Sequence, residues 1–329
     1  MPFKRLVWCT LVALVVTVFA TQPGWAVPAS YVLPPDDVGV VGEAGTDIVP
    51  PGQSLLDVAR AHGLGFNEIT NANPGVYFLS PPPYTQVVLP TRHVLPDAPR
   101  EGIVVNLPEM RLYYYPKPKK GEAPMVITYP VSVGRMDWNT PLGLTSVAAK
   151  VVHPTWTPPP SIRREHAAKG DILPAVVPAG EANPLGLYAL RLGIKGYLIH
   201  GVDVGVGRDW GIGMRVTHGC MRLYPEDIEV LFKDVPVGTP VRLINQPFKL
   251  GWLAGVLYLQ VFPPMDEERG KVIEENALIK LIHKAVEGKT HYSLDTDAIK
   301  RATNEIRLTD SEELHGIPVP VPIVTEIQP

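Results

Sequence analysis

Thirty-seven prolines in 329 residues constrain this chain more than any other feature. Each one fixes its own φ and removes a backbone donor, so proline stops helices and is confined to turns, strand edges and connectors. Spread along the whole chain, they argue against a mainly helical protein and predict short strands, turns and extended connectors. The length suits about two domains plus extensions.

The first residues read as an export signal. Lys4 and Arg5 precede an apolar run over 6–20, too short for a comfortable membrane span. Gly24-Trp25-Ala26 offers small residues at the two positions a signal peptidase reads, which predicts a mature start near Val27. The competing reading is an uncleaved anchor. Val7-Trp8, ahead of Cys9, do not form a lipidation signal, so a soluble exported protein is expected. Two of the 30 basic residues leave with 1–26, so 28 remain against 33 acidic residues, a net charge of −5. That balance gives no electrostatic footprint for nucleic acid or an anionic membrane surface.

The prolines also partition the chain. A turn-rich leading segment, 27–45, precedes a small unit over 46–90. There Asp47-Ile48-Val49 predicts a strand, Ser54 caps a helix over 55–61, a second helix runs over 66–72, and Gln86-Val87-Val88-Leu89 predicts a closing strand. Residues 91–100 read as a linker. From Glu101 to 245 the texture is that of short strands with a helix over 225–233, a mostly β domain. An insertion over 153–190, with Trp156, Pro158-Pro159-Pro160 and a helix over 161–169, is long enough to act as a substrate wall or lid. Beyond 245 the expectation is a strand over 256–261, two amphipathic helices over 271–286 and 296–307, and an extended proline-rich tail over 317–329.

Of two cysteines, Cys9 leaves with the signal and Cys220 remains, in Thr217-His218-Gly219-Cys220-Met221-Arg222. An odd thiol in an exported protein invites wrong cross-links, so one kept between histidine and arginine points to chemistry. A free thiol is only a few per cent thiolate at neutral pH, and a neighbouring imidazole can take its proton. His200 and His218 are both candidates. If Cys220 begins a strand, residues 218, 220 and 222 share one face unless Gly219 breaks the regularity. Gly219 permits a tight turn that exposes the sulfur and turns backbone N–H groups toward an oxyanion. The planar fork of Arg222 suits a substrate carboxylate.

Rival readings remain open at this point. Cys220 as an inert buried thiol is hard to square with its flanking Gly, His and Arg. Zinc held by His200, His218 and Cys220 lacks an evident fourth ligand. Papain-like peptidases place cysteine before histidine, the reverse of the order here. Sortases share the order His, Cys, Arg but set the histidine much farther upstream.

Two resemblances follow. Gly52-Gln53-Ser54-Leu55-Leu56-Asp57-Val58-Ala59 with Asn71-Ala72-Asn73-Pro74-Gly75 resembles a LysM module, a family that binds N-acetylglucosamine-containing glycans. Its end, Pro81-Pro82-Pro83-Tyr84-Thr85, departs from the usual glycine turn, and a structural spacer is the alternative role. His200-Gly201, a glycine-rich loop and the Thr217–Arg222 run resemble the L,D-transpeptidase, or YkuD, catalytic domain. Pro154-Thr155-Trp156-Thr157-Pro158, Leu173-Pro174-Ala175-Val176-Val177 and Gly211-Ile212-Gly213-Met214 resemble its periplasmic Gram-negative branch, some members of which attach an outer-membrane lipoprotein to peptidoglycan.

The resemblance implies a YkuD-like β-sandwich with one or two helices, preceded by a small α+β LysM-like module and followed by a helical extension. It implies Cys220 as nucleophile, His200 as general base, the Gly201 carbonyl orienting that ring, and His218 supporting the site. Arg222, Gly219 and Trp156 would lie on the substrate side. The implied partners are peptidoglycan stem peptides and glycan strands, with an outer-membrane lipoprotein as one acceptor. The implied location is the periplasm, with acylation by carbapenems and with no metal or cofactor. The loop over 202–210 is longer than in close relatives, which bears on acceptor recognition.

Overall fold

The computed structural model describes residues 28–135, 138–202, 211–263, 265, 275–307 and 317–326. The expected signal over 1–26, the long loop over 203–210 and the start of the helix expected from residue 271 lie outside the described residues.

The leading part of the chain runs β1 (Ala29–Val32), β2 (Val40–Val41), β3 (Gly45–Ile48), α1 (Leu55–Ala61), α2 (Phe66–Ala72), β4 (Gln86–Leu89) and β5 (His93–Val94). Next come β6 (Gly102–Asn106), β7 (Arg111–Tyr115), β8 (Met125–Pro130), β9 (Val133–Gly134), β10 (Gly143–Val152), α3 (Pro160–Ala168) and β11 (Tyr188–Leu192). They are followed by β12 (Leu198–His200), β13 (Arg215–Thr217), β14 (Met221–Arg222), α4 (Pro225–Asp234) and β15 (Pro240–Ile244). The last part holds β16 (Phe248–Leu253), β17 (Val256–Val261), α5 (Glu275–Ala285), β18 (Tyr292–Leu294), α6 (Thr296–Arg307) and β19 (Ile317–Glu326).

A nine-stranded sheet ordered β1-β8-β7-β6-β15-β10-β11-β12-β14 forms the main body. Strand β10 serves both halves: Gly143–Ser146 pair with β15, and Val147 to Val152 pair with β11, with a bulge between Val147 and Ala149. Both halves bury their inner faces in one core, Ile103, Leu112 and Tyr129 from one side and Leu190, Ile199 and Met221 from the other. Helix α4 closes that core with Ile228 and Leu231, one turn apart on its inner stripe. The region is mostly β, with few helices, as the proline content demands.

Residues 45–89 form the expected strand–helix–helix–strand order. Strands β3 and β4 pair antiparallel, and Val49, Leu55, Val58, Ile69 and Val87 share a core of their own. Ser54 accepts from the Asp57 amide at 3.1 Å while Asp57 accepts from the Ser54 amide at 2.7 Å, a reciprocal cap that starts α1. This unit is docked rather than tethered. The Phe66 and Asn67 amides at the start of α2 donate to the carbonyls of Ile212 and Gly213, at 2.8 and 3.3 Å. Gly65 and Gly213 meet so closely that a Cβ on Gly213 would stand 2.6 Å from the Gly65 Cα. The Arg60 guanidinium grips both Glu226 oxygens, at 2.6 and 2.7 Å, on the first turn of α4.

Three expectations need correction. The stretch 91–100 is not a free linker: β5 pairs with β2, and His93, Val94 and Leu95 are buried. The leading segment extends the main sheet, because β1 pairs with β8. The C-terminal extension, expected as one strand, two helices and an extended tail, is built on a sheet. Strands β16-β17-β19-β18 form a sheet whose core takes Leu278 and Ile282 from α5 and Ala298 and Ala302 from α6. The proline-rich tail enters this sheet as β19. Strand β18 pairs only with Val324, Thr325 and Glu326, so Pro318, Pro320 and Pro322 owe no donor to it.

Two buried ion pairs lock these parts together. Arg111, on β7 and fully buried, meets both Glu68 oxygens on α2 at 2.8 and 2.6 Å and also donates to Thr128 and the Gly63 carbonyl. Lys249, on β16, donates to Glu109 at 2.7 Å, to the Tyr113 hydroxyl at 3.0 Å and to the Val94 carbonyl. Such charges are tolerated inside only when every donor is matched.

Candidate active site

Strands β12 and β14 run parallel, with Ile199 opposite Met221 and His200 opposite Arg222. That register sets Cys220, one residue before β14, level with Leu198. Side chains 198 and 200 then share a sheet face with 220 and 222, on backbones about 5 Å apart. The His200 carbonyl accepts from the Leu223 amide at 2.9 Å, and Arg222 exchanges two backbone bonds with Ser132 on the other side. Histidine and arginine are thus fixed by backbone pairing, and the cysteine stands in the turn that leads into β14.

The His200 ring is buried and held by its own neighbour: Nδ1 lies 2.6 Å from the Gly201 carbonyl oxygen. A carbonyl only accepts, so Nδ1 carries the proton and Nε2 keeps a lone pair. Burial pushes the His200 pKa down to about 3, and the Arg222 charge lowers it further, against opposing bonds to the Gly201 and Leu185 backbone. The Cys220 sulfur is half-buried and lies 3.7 Å from the Gly196 carbonyl. Burial pushes its thiol up, while a hydrogen bond from the Leu198 backbone and the Arg222 charge favour the thiolate.

The turn that presents the sulfur depends on Gly219, whose φ is +100°. A Cβ there would meet Tyr197 at 2.8 Å and the carbonyl oxygens of Asn139 and Trp138 at 3.3 and 3.5 Å, so glycine is required on both counts. The Thr217 hydroxyl closes the turn by donating to the Cys220 carbonyl at 2.6 Å and accepting the Gly219 amide at 3.1 Å. Thr140 donates to the Gly219 carbonyl at 2.9 Å and accepts the Gly134 amide at 3.0 Å. The Gly219 N–H is therefore spent within the turn.

The same turn ends the alternation that would have aligned residues 218, 220 and 222. The His218 Nε2 lies 3.0 Å from Glu165 on α3, and its ring packs edge-on against Trp138 with centroids 5.1 Å apart. Burial lowers the His218 pKa, opposed by Glu165. Arg135 also binds Glu165, at 2.6 Å. Trp156 is held in the insertion by two backbone bonds with Val177, 2.9 and 2.7 Å long. Among the described residues no three His, Cys, Asp or Glu side chains converge as metal ligands. Sequence reasoning did not find Glu165, Arg135, Thr140, Thr217 or Tyr197 as parts of this site. Glu165 left one signal, as the sole carboxylate between His153 and Lys169 in a stretch otherwise rich in basic side chains.

Residues 100–243 match the family model described as the YkuD L,D-transpeptidase catalytic domain. Three Escherichia coli K12 proteins are similar across most of their length. The probable L,D-transpeptidase ErfK/SrfK is 42% identical over 257 residues, 77% of this chain and 79% of its own. The probable L,D-transpeptidase YcfS is 42% identical over 259 residues, 76% and 78% of the two chains. For the probable L,D-transpeptidase YbiS the figures are 42% over 240 residues, 72% and 76%. With identity at this level over most of both chains, and with the domain match spanning both Cys220 and His200, this chain belongs to the L,D-transpeptidase family and is a transferase.

Proposed function

We propose that the protein is a periplasmic peptidoglycan L,D-transpeptidase in which Cys220 is the nucleophile and His200 its base. The observation that carries this reading is the β12–β14 register, with Cys220 and His200 on one sheet face and His200 Nδ1 already committed to the Gly201 carbonyl.

Burial disfavours both charged forms, so the resting pair is a neutral thiol beside a neutral imidazole. As sulfur adds to the carbonyl carbon of the third stem residue, a diacid such as diaminopimelate, its proton passes to His200 Nε2. The tetrahedral intermediate collapses, the C–N bond to D-alanine breaks, and the same proton goes to the leaving amine. An acceptor amine then attacks the Cys220 thioester, gives its proton to His200, and regenerates the thiol. A stem-peptide side-chain amine as acceptor gives a 3→3 cross-link, a lipoprotein lysine gives anchoring, and water gives a carboxypeptidase. The Arg222 guanidinium suits the carboxylate of the donor. The unit over 45–89, LysM-like in its element order and separate core, would hold glycan and raise the local concentration of donor strands.

Protonating His200 removes the base, so the rate falls as pH drops through its pKa. With that pKa near 3 rather than the ordinary 6.5, kcat/KM is expected to hold as pH falls from about 7 to about 5. An acid limb centred near 6.5 in a pH–rate profile would contradict this assignment.

The functional test is mass spectrometry of disaccharide-tetrapeptide muropeptides incubated with the mature protein, with Cys220→Ala in parallel. Loss of D-alanine with cross-linked dimers, absent from the variant, is the expected result. Tripeptide alone would assign hydrolysis or a protein acceptor. No change in either sample would overturn the stem-peptide donor and favour a sortase-like enzyme or a wall-binding protein.

A further inference from the structure

We propose that Glu165 is a positioning residue for this reaction: its carboxylate, brought in on the insertion helix α3, fixes the His218 ring and thereby the turn that presents Cys220. The inference rests on Cys220 being the nucleophile.

Helix α3 turns Ile162 and Glu165, three residues apart, toward the body of the protein, where the Glu165 side chain is 21% exposed. One carboxylate oxygen takes Arg135 at 2.6 Å and His218 Nε2 at 3.0 Å, and the other takes Lys169 at 2.9 Å. The Arg135 guanidinium, with Lys169 and His218, holds the Glu165 carboxyl well below the usual range, so it is ionised and can only accept. Nε2 of His218 lies nearer this acceptor, at 3.0 Å, than the Arg135 guanidinium, at 3.4 Å, so it carries a proton toward Glu165 and is not free to take one from sulfur. A neutral His218 held this way supports the site by its position, not as a base.

That position matters because of where the backbone is weakest. Gly219, at φ +100°, has no side chain to hold the turn, and Cys220 follows it directly. Thr217 and Thr140 bind the Gly219 peptide from two sides. The side chain of the residue before it is held between Glu165 and Trp138. Arg135, the residue after β9, completes the clamp: its own amide donates to the Thr217 carbonyl at 3.1 Å while its guanidinium holds Glu165. The insertion thus reaches the catalytic turn through one carboxylate, and a shift of the turn by about 1 Å is enough to cost about 100-fold in rate.

The test uses the mature protein, with Glu165→Ala and Glu165→Gln, read by D-alanine release from tetrapeptide muropeptide and by 15N NMR of labelled histidine. Glu165→Ala is expected to lower kcat about 10- to 100-fold with little change in KM, and to remove the single Nε2–H tautomer of His218. Glu165→Gln keeps an acceptor oxygen and is expected to recover most of both. Wild-type kcat in Glu165→Ala, an unchanged His218 spectrum, or a loss wholly in KM would each overturn the proposal. If Glu165→Ala does not fold, Glu165→Asp, which withdraws the charge by one methylene, decides on the same readings. If wild-type protein releases no D-alanine, the nucleophile reading fails on its own, and the His218 spectrum alone decides this inference.

Discussion

Replacing Cys220 by alanine is expected to abolish D-alanine release, by about 10⁴-fold or more, because no other described group on that sheet face can form the acyl intermediate. The fold is expected to survive. The sulfur is half-buried, and its contact with the Gly196 carbonyl at 3.7 Å is a weak one. The turn is held by Thr217, Thr140 and the β12–β14 pairing, all of which remain. Unfolding free energy should change by less than about 1 kcal/mol, as for sites without a cavity, charge or cap at stake. Loss of turnover accompanied by a large loss of stability in urea unfolding would mean that Cys220 is structural.

The second large effect is on stability. Glu68→Ala leaves the Arg111 guanidinium at the centre of the fold with its main partner gone. Burial works against the charge of Arg111, and it is chiefly Glu68 that outweighs this. Breaking a buried pair from one side costs about 3–5 kcal/mol, against a total stability of about 5–15 kcal/mol. Urea unfolding should therefore show a clear drop in midpoint. Replacing both partners, Glu68→Gln with Arg111→Met, should recover much of it, because no uncompensated charge is then left inside. The loss should also reach the active site, since α2 holds the Ile212 and Gly213 carbonyls just ahead of β13 and the catalytic turn. A change in stability below about 1 kcal/mol in Glu68→Ala would show that water or another group satisfies Arg111.

What the sequence made legible was whatever depends on neighbours in the chain. Thr217 to Arg222 announced a thiol in a tight turn between an imidazole and a guanidinium, and Gly219 adopts the positive φ that such a turn needs. Ser54 announced α1, and its reciprocal cap with Asp57 forms. What stayed hidden depends on residues far apart. Arg111 opens a strand that the sequence places only in a hairpin, yet all of Arg111–Tyr115 is buried, because Gly63 and Glu68 cover Arg111 while Val41 and Leu95 pack on Tyr113 and Tyr115. Residues 91–100 look like a linker because prolines flank them, and only the pairing of β5 with β2 shows them to be part of the core. Glu165 lies more than fifty residues from His218, and no local rule joins them. The tail beyond residue 316 has the composition of an unpaired connector, but its alternating prolines leave the rest of the strand free to pair with β17.

The account turns on a thioester at Cys220, and the most direct measurement is intact-protein mass spectrometry followed by peptide mapping. The protein is mixed with tetrapeptide muropeptide lacking an acceptor, or with a carbapenem, and quenched in acid. The expected result is a mass increase equal to the acyl fragment, mapping to the peptide that carries Cys220, and absent from Cys220→Ala. Turnover of the muropeptide with no adduct in either reaction, or an adduct on any other residue, would contradict it.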